Sequence, residues 1–316
     1  MQYNFLMDAK VKSERLPRFR RASEPPAFRL TEDDVTIIRH VARHRFLRST
    51  QIALLVGRSL DRTNERLCRL YHAAFLDRPR AQLDYYPTAG SAPVVYALAD
   101  RGARLLAERD GGTLAHLEWS RKNREAGRPF IEHQLEIIDF SVAIQHAAAS
   151  RRDIEIIPPE ELAAAMPLAS RTARDPFAMQ VRVSHEGWVR DIGLVPDFAF
   201  GIKFLDGSRR CFLVEIDRGT MPIVRSNFSQ TSFQRKMRGY LSAQAARLHE
   251  RQFAWKAFRV LTVTTNAERI QSMIDAARHL SVPNSLGPSL FLFATRDQLR
   301  SENPFRMAWI DGIGRK

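Results

Sequence analysis

The sequence predicts an α/β protein in two domains: three helices with a two-stranded wing, then a larger unit of alternating strands and helices. Three observations carry this. A chain of 316 residues is long enough to bury two separate cores. Apolar residues recur at helical spacing through the first third of the chain. From about residue 196 onward, runs rich in β-branched and aromatic residues alternate with helical stretches.

Residues 1–28 are basic, with Lys10, Lys12, Arg15, Arg18, Arg20 and Arg21 ahead of Pro25-Pro26. They show no apolar period and read as a flexible arm. The first domain, 29–112, opens at Thr31, with Asp34 three residues on as a capping partner. Val35, Ile38, Val41 and Ala42 then form a helical stripe. "STQIALLVG" (49–57) is a short second helix with Ser49 or Thr50 as its cap and Gly57 as its stop. In "SLDRTNERLCRLYHAAFL" (59–76), Leu60, Leu67, Leu70 and Tyr71 supply an inner face. That leaves Arg58, Arg62, Asn64, Arg66 and Arg69 outside. "FLDRP", the loop "RAQLDYYPTAGSA" and "PVVYALADRGARLLAER" follow as strand, wing, strand and closing helix.

Helices and wing in this order make a winged helix-turn-helix, and the "YALADRGARLLAER" ending resembles many winged-helix regulators. Its third helix is expected in the major groove of double-stranded DNA, with Arg62, Asn64 and Arg66 nearest the bases or phosphates. Winged helices also serve as protein-interaction modules, and here the charge decides in favour of DNA. The net charge is +14. Residues 1–111 carry 20 Lys and Arg against 13 Asp and Glu, and residues 112–316 carry 29 against 22. Such a spread favours a polyanionic partner through counterion release, although a solvated basic surface fits the same count.

Composition is that of a soluble globular protein, 44% hydrophobic and 27% charged. No apolar run approaches the ~20 residues of a membrane span. The opening "MQYNFLMDAKVKSERLPRFRR" has no continuous apolar core, so the expected compartment is cytoplasmic. Cys68 and Cys211 are the only cysteines. They read as small buried hydrophobes and can build neither a disulfide framework nor a thiolate zinc site.

Residues 113–129 mix charge and small residues and read as a linker. The second domain, 130–316, begins with an amphipathic helix, 130–148. Its stripe is Ile131, Leu135, Ile138 and Val142, with Glu132, Glu136 and Asp139 on an adjacent face. "DIEIIPP" is a short strand, and 160–190 read mostly as loops. "VPDFAFGIKFLDGSRRCFLVEID" is a hairpin turning at Asp206-Gly207. A helix over roughly 229–250, the buried strand "FRVLTVTT", a helix capped by Asn266, the strand "SLFLFAT" and a short helix complete an α/β sandwich.

The chemistry sits in "LVEIDRGTMP" (213–222), where Glu215 and Asp217 share one face of an otherwise apolar strand. Two such carboxylates need compensation. A divalent cation is one candidate, and ion pairs with Arg218, Arg235 or Arg238 are the other. A three-residue loop Asp206–Ser208 would put Asp197 opposite Asp217 and all three acids on one face. A two-residue turn would shift the register by one and point Asp197 away.

Pro196-Asp197, the hairpin and Glu215 resemble the PD-(D/E)xK nuclease superfamily, a restriction-endonuclease-like α/β sandwich. The resemblance implies Asp197, Glu215, Asp217 and Lys236 as catalytic residues. It implies Mg²⁺ held by Asp197, Glu215, Asp217 and Glu136 if the site is active. Asp217 departs from the pattern, standing where the family's lysine is expected, and Lys236 on the following helix is the relocated candidate, with Tyr240 one turn later. Taken together, the two halves resemble the replication-relaxation family of plasmid and integrative-element proteins. The match lies in Pro196-Asp197, "EIDRGT" at 215–220, Lys236 and Tyr240. That resemblance implies a DNA-binding protein in the replication or mobilisation of a mobile element. A Mg²⁺-dependent endonuclease and a transcription regulator that forms a homodimer through an inactive nuclease-like domain stay open beside it. No small-molecule cofactor is called for.

Overall fold

The computed structural model describes residues 16–25, 27–83, 92–111, 118–185, 187–227 and 230–315. The chain divides into two compact units, Met1–Leu135 and Glu136–Lys316.

In the first unit, helix α1 (Glu32–His44) starts at the expected capping box. Asp34 N–H faces the Thr31 hydroxyl, and Asp34 Oδ2 accepts from Thr31 N–H at 2.8 Å. Strand β1 (Phe46–Arg48), α2 (Ser49–Leu55), α3 (Leu60–His72), β2 (Leu76–Asp77), β3 (Val95–Leu98) and α4 (Asp100–Asp110) follow. The strands form one antiparallel sheet in the order β1-β3-β2. Val35, Ile38, Val41, Leu67, Leu70 and Tyr71 are buried as the periodicity predicts.

Three expectations need correction here. Ser49 is the first residue of α2 rather than its cap; Arg48 precedes it, its N–H bonded to Gln51 Oε1. Leu60, the first residue of α3, is exposed and takes no part in the buried stripe. The basic arm is docked over part of its length. Arg21 donates to the Tyr71 and Leu76 carbonyls and pairs with Asp77 at 2.5 Å, and Ala22 N–H reaches His72 Nδ1. A guanidinium with several fixed acceptors holds a segment that has no apolar stripe. Residues 1–15 of the arm, the wing tip 84–91 and linker residues 112–117 lie outside the described residues. The remainder of the linker holds helix α5 (Trp119–Glu125), anchored by buried Asn123 through the Leu98 carbonyl at 2.7 Å.

The boundary between the units falls inside α6 (Arg128–Ala149). Ile131 and Leu135 belong to a cluster with Phe46 and Ala97, and Phe140 and Ile144 belong to the second unit's core. A helix that carries apolar residues for two cores offers no compositional break at 129–130.

The second unit continues with β4 (Ile154–Ile157), α7 (Pro159–Ala164), α8 (Leu168–Arg171), β5 (Met179–His185), β6 (Trp188–Leu194), β7 (Phe198–Phe204) and β8 (Arg209–Ile216). Then come α9 (Phe233–Ala245), α10 (Leu248–Phe253), β9 (Phe258–Thr264), α11 (Ala267–Arg278), β10 (Phe291–Thr295), α12 (Arg296–Ser301) and β11 (Ile310–Asp311). The stretch read as loops, 160–190, contains two helices and most of the β5–β6 hairpin. Met179, Val181 and Val183 are buried there, with exposed Gln180, Arg182 and Ser184 between them, the period of two of a half-buried strand rather than of a loop. The helix expected over 229–250 is broken after Ala246, where Arg247 takes φ +53°.

Six strands form a mixed sheet in the order β11-β10-β9-β8-β7-β4, with β8, β9 and β10 parallel at its centre. Cys211, Leu213, Val260 and Phe293 face a core that includes α9, α11 and the β5–β6 hairpin. Val214, Ile216, Leu261 and Ala294 face the core that includes Phe140 of α6 and Leu299 of α12. The mixed α/β class is as the sequence predicts. Among the described residues no helix is long and apolar enough to cross a membrane.

Candidate functional site

The hairpin register settles which acids meet. Phe204 pairs with Ser208 around Leu205-Asp206-Gly207, and Gly207 supplies the φ of +78° this three-residue loop needs. Phe198 then pairs with Val214, which sets Asp197 across from Glu215. The loop is odd in length, as a shared face requires, but starts one residue earlier than Asp206–Ser208. Asp197 therefore opposes Glu215 and not Asp217. It accepts the Ile216 N–H at 2.7 Å, while its own N–H bonds the Val214 carbonyl.

Glu215 is 3% exposed, on the face of β8 that α9 covers. Lys236 and Tyr240, four residues apart on α9, point at it together. Lys236 Nζ bonds Glu215 Oε2, and the buried Tyr240 hydroxyl donates to Oε1 at 2.5 Å. Gly239 permits this approach: a Cβ there would lie 2.8 Å from Ile192 Cδ1 and 3.0 Å from Leu194 Cδ2. Burial pushes the Glu215 carboxyl up to about 7, with Asp197 adding to the shift against the pull of Lys236. Burial opposes the Lys236 charge, yet Glu215 and Asp197 hold its ammonium above the ordinary lysine value. Tyr240 lies well above an ordinary phenol, through burial and the Glu215 charge. A carboxyl that titrates near neutrality can exchange a proton at working pH, but both oxygens of this one are engaged.

Asp217 is held elsewhere. Arg269 of α11 grips it in a bidentate pair at 2.5 and 2.9 Å, and the Thr264 hydroxyl donates to it at 2.6 Å. Glu136 sits against the opposite face of the sheet, paired with Arg218 at 3.4 Å and Arg296 at 3.1 Å. The string Glu215-Ile216-Asp217-Arg218 thus sends its charged side chains to three separate partners. Asp197, Glu215 and Lys236 are brought together; Asp217 and Glu136 are not brought to them. Among the described residues no group of three or more His, Cys, Asp and Glu is arranged to hold a metal. Ammonium, phenol and guanidinium groups engage the carboxylates of Glu215, Asp217 and Glu136, so as arranged these three do not fit a Mg²⁺ ion. Arg269, Thr264 and Arg296, which complete these pairs, carry no local sequence signal. Each lies some 47 residues or more from its partner, and only the fold makes them neighbours.

In the first unit, Arg62 and Asn64 are exposed on α3. Arg69 pairs with Glu65 one turn away, and Arg58 with Asp33. Arg66 departs from the expected outward face. It pairs with Asp34, which is fully buried, and donates to the Arg29 carbonyl at 3.1 Å. Its bonds and the Thr31 cap outweigh burial and hold Asp34 below the usual carboxylate range.

The family model described as replication-relaxation matches residues 38–255. No curated protein and no solved structure matches the chain.

Proposed function

The chain belongs to the replication-relaxation family, and we propose that it acts there by binding double-stranded DNA through a winged helix formed by residues 29–112. The observation that carries this reading is α3, whose Leu67 and Leu70 are buried while Arg62 and Asn64 stand exposed on either side of that stripe. A recognition helix needs that division: an apolar stripe that fixes its pose and a polar face free to meet phosphates and base edges. The element order, with a β2–β3 pair after α3, supports the wing. The net charge of +14 supplies the long-range attraction. A role in the replication or mobilisation of a mobile element follows from the family.

The second unit supports a nuclease-like sandwich of the PD-(D/E)xK kind, with its acid site closed on itself. A second reading, a DNA endonuclease, is favoured by one observation, that Asp197, Glu215 and Lys236 converge. Plasmid DNA incubated with the protein and Mg²⁺ or Mn²⁺, beside Glu215→Ala, separates the two. A band shift with intact DNA upholds the binding protein. Metal-dependent nicking abolished by the substitution would establish the enzyme.

A further inference from the structure

A cavity of about 550 Å³ lies at the end of the large sheet where β8 and β9 begin. Glu215 stands at the other end of β8. Arg209 and Arg210, from the start of β8, line the cavity together with Lys256 and Arg259, from the approach to β9 and its second residue. All four are exposed. Among the described residues none forms an ion pair. Arg259 donates to the Ser289 carbonyl, and Asp206 of the adjoining turn accepts the Ser208 N–H while its charge also acts on Arg210. Some exposed arginines elsewhere take acid partners close by, as Arg121 does with Glu118 and Arg247 with Glu250, and others, such as Arg62, stand without one among the described residues. Here four cations line one concave volume at the end of the sheet, Arg209 from one face and Arg210 and Arg259 from the other, without a carboxylate among the lining residues. Much of the remaining lining is apolar and aromatic, Phe212 and Trp255 included.

Like charges gathered around a cavity repel one another and concentrate anions. The volume is within the range of small-ligand sites, which pair an apolar wall with a few charged anchors. A ligand that satisfies both features carries phosphate at one end and a flat apolar ring at the other. We propose that this cavity binds the phosphates of a nucleotide, free or within a single strand of nucleic acid, with the base against the apolar lining. All of its residues lie in the second unit, so the site is independent of α3.

The test uses the full chain and a fluorescein-labelled oligothymidylate of about ten nucleotides, followed by polarisation, with ATP as competitor. The triple variant Arg209→Gln, Arg210→Gln, Lys256→Gln is expected to weaken oligonucleotide binding about tenfold. It should also flatten the log–log salt dependence by about 2, at roughly 0.7 for each phosphate no longer neutralised. Arg209→Lys with Arg210→Lys keeps the charge and should bind within about threefold of the parent. Displacement by ATP assigns the site to free nucleotides. Binding of the oligonucleotide without displacement by ATP assigns it to a strand. The proposal is overturned if neither probe binds, if the triple variant binds unchanged, or if Arg62→Ala alone abolishes binding. Should the triple variant melt early, Lys256→Gln carries the test, with a weakening of about threefold expected from removing one cation.

Discussion

Tyr240 and Lys236, one helical turn apart on α9, each hold one oxygen of the same buried carboxylate, Glu215. A carboxylate buried at the centre of a sheet is tolerated only when such partners replace its water. The arrangement is therefore a structural clamp between α9 and β8.

Removing one partner should expose that dependence. Above pH 7, where Glu215 gives up its proton, Lys236→Met leaves its charge uncompensated and is expected to lower unfolding free energy by about 3 kcal/mol, as for other broken buried pairs. Glu215→Gln should cost less, and the double variant should recover part of the Lys236→Met loss. Urea denaturation of the three variants checks this. A Lys236→Met midpoint equal to the parent's would mean that the pair contributes nothing.

The raised Glu215 value gives a pH signature with a definite sign. The folded carboxyl keeps its proton up to about 7, whereas the unfolded one loses it near 4.3. Between those limits the folded state binds more protons, so this group's contribution to stability falls as pH rises. Stability of the parent relative to Glu215→Gln should decline across pH 4.5–7 and level off above. Thermal melts of both proteins over that range would show it, and parallel curves would contradict it.

Arg62 and Arg66 sit four residues apart on α3 and should fail differently. Arg62→Ala should weaken duplex binding and reduce its salt dependence by about one phosphate's worth while leaving the melting temperature unchanged. Arg66→Ala strands the buried Asp34 and should destabilise the protein by about 3 kcal/mol. Because the Asp34 value is depressed, the stability it contributes is present above the unfolded value and is lost as pH falls through the folded one. Equal effects of the two substitutions on melting would refute the distinction.

Gly239→Ala tests the close approach of α9 to β6. A methyl group there meets Ile192 and Leu194 side-chain ends at 2.8 and 3.0 Å. Overpacking of about 1–3 kcal/mol is expected, partly offset by the better helix propensity of alanine. If the helix shifts to make room, the Tyr240–Glu215 bond loosens, and the pH signature of Glu215 weakens with it. Calorimetry at two pH values reads both effects.

Much of the architecture was legible because it is local. Thr31 and Asp34 announce the start of α1, and Asn266 that of α11, because a cap is satisfied within three residues. The strands "FRVLTVTT" and "SLFLFAT" declare themselves by unbroken β-branched and aromatic content. Strand β5 is legible too, in the unbroken alternation of residues 179–184, which the reading of 160–190 as loops overlooks. The docking of Arg21 is hidden because its acceptors are carbonyls 50 residues or more away.

The sequence by itself determined that Glu215 and Asp217 leave β8 on one face and that Arg218 leaves on the other, since side chains in a strand alternate. It also determined that a hairpin of odd loop length would bring Asp197 to the same face. Only the tertiary structure decided that Asp197 opposes Glu215, that Lys236 and Tyr240 close on Glu215, and that Arg269 removes Asp217 from the group. Strand parity is a property of neighbouring peptides. The choice of partner for a buried charge depends on which helix packs over the strand and at what turn, and that is set by the whole core.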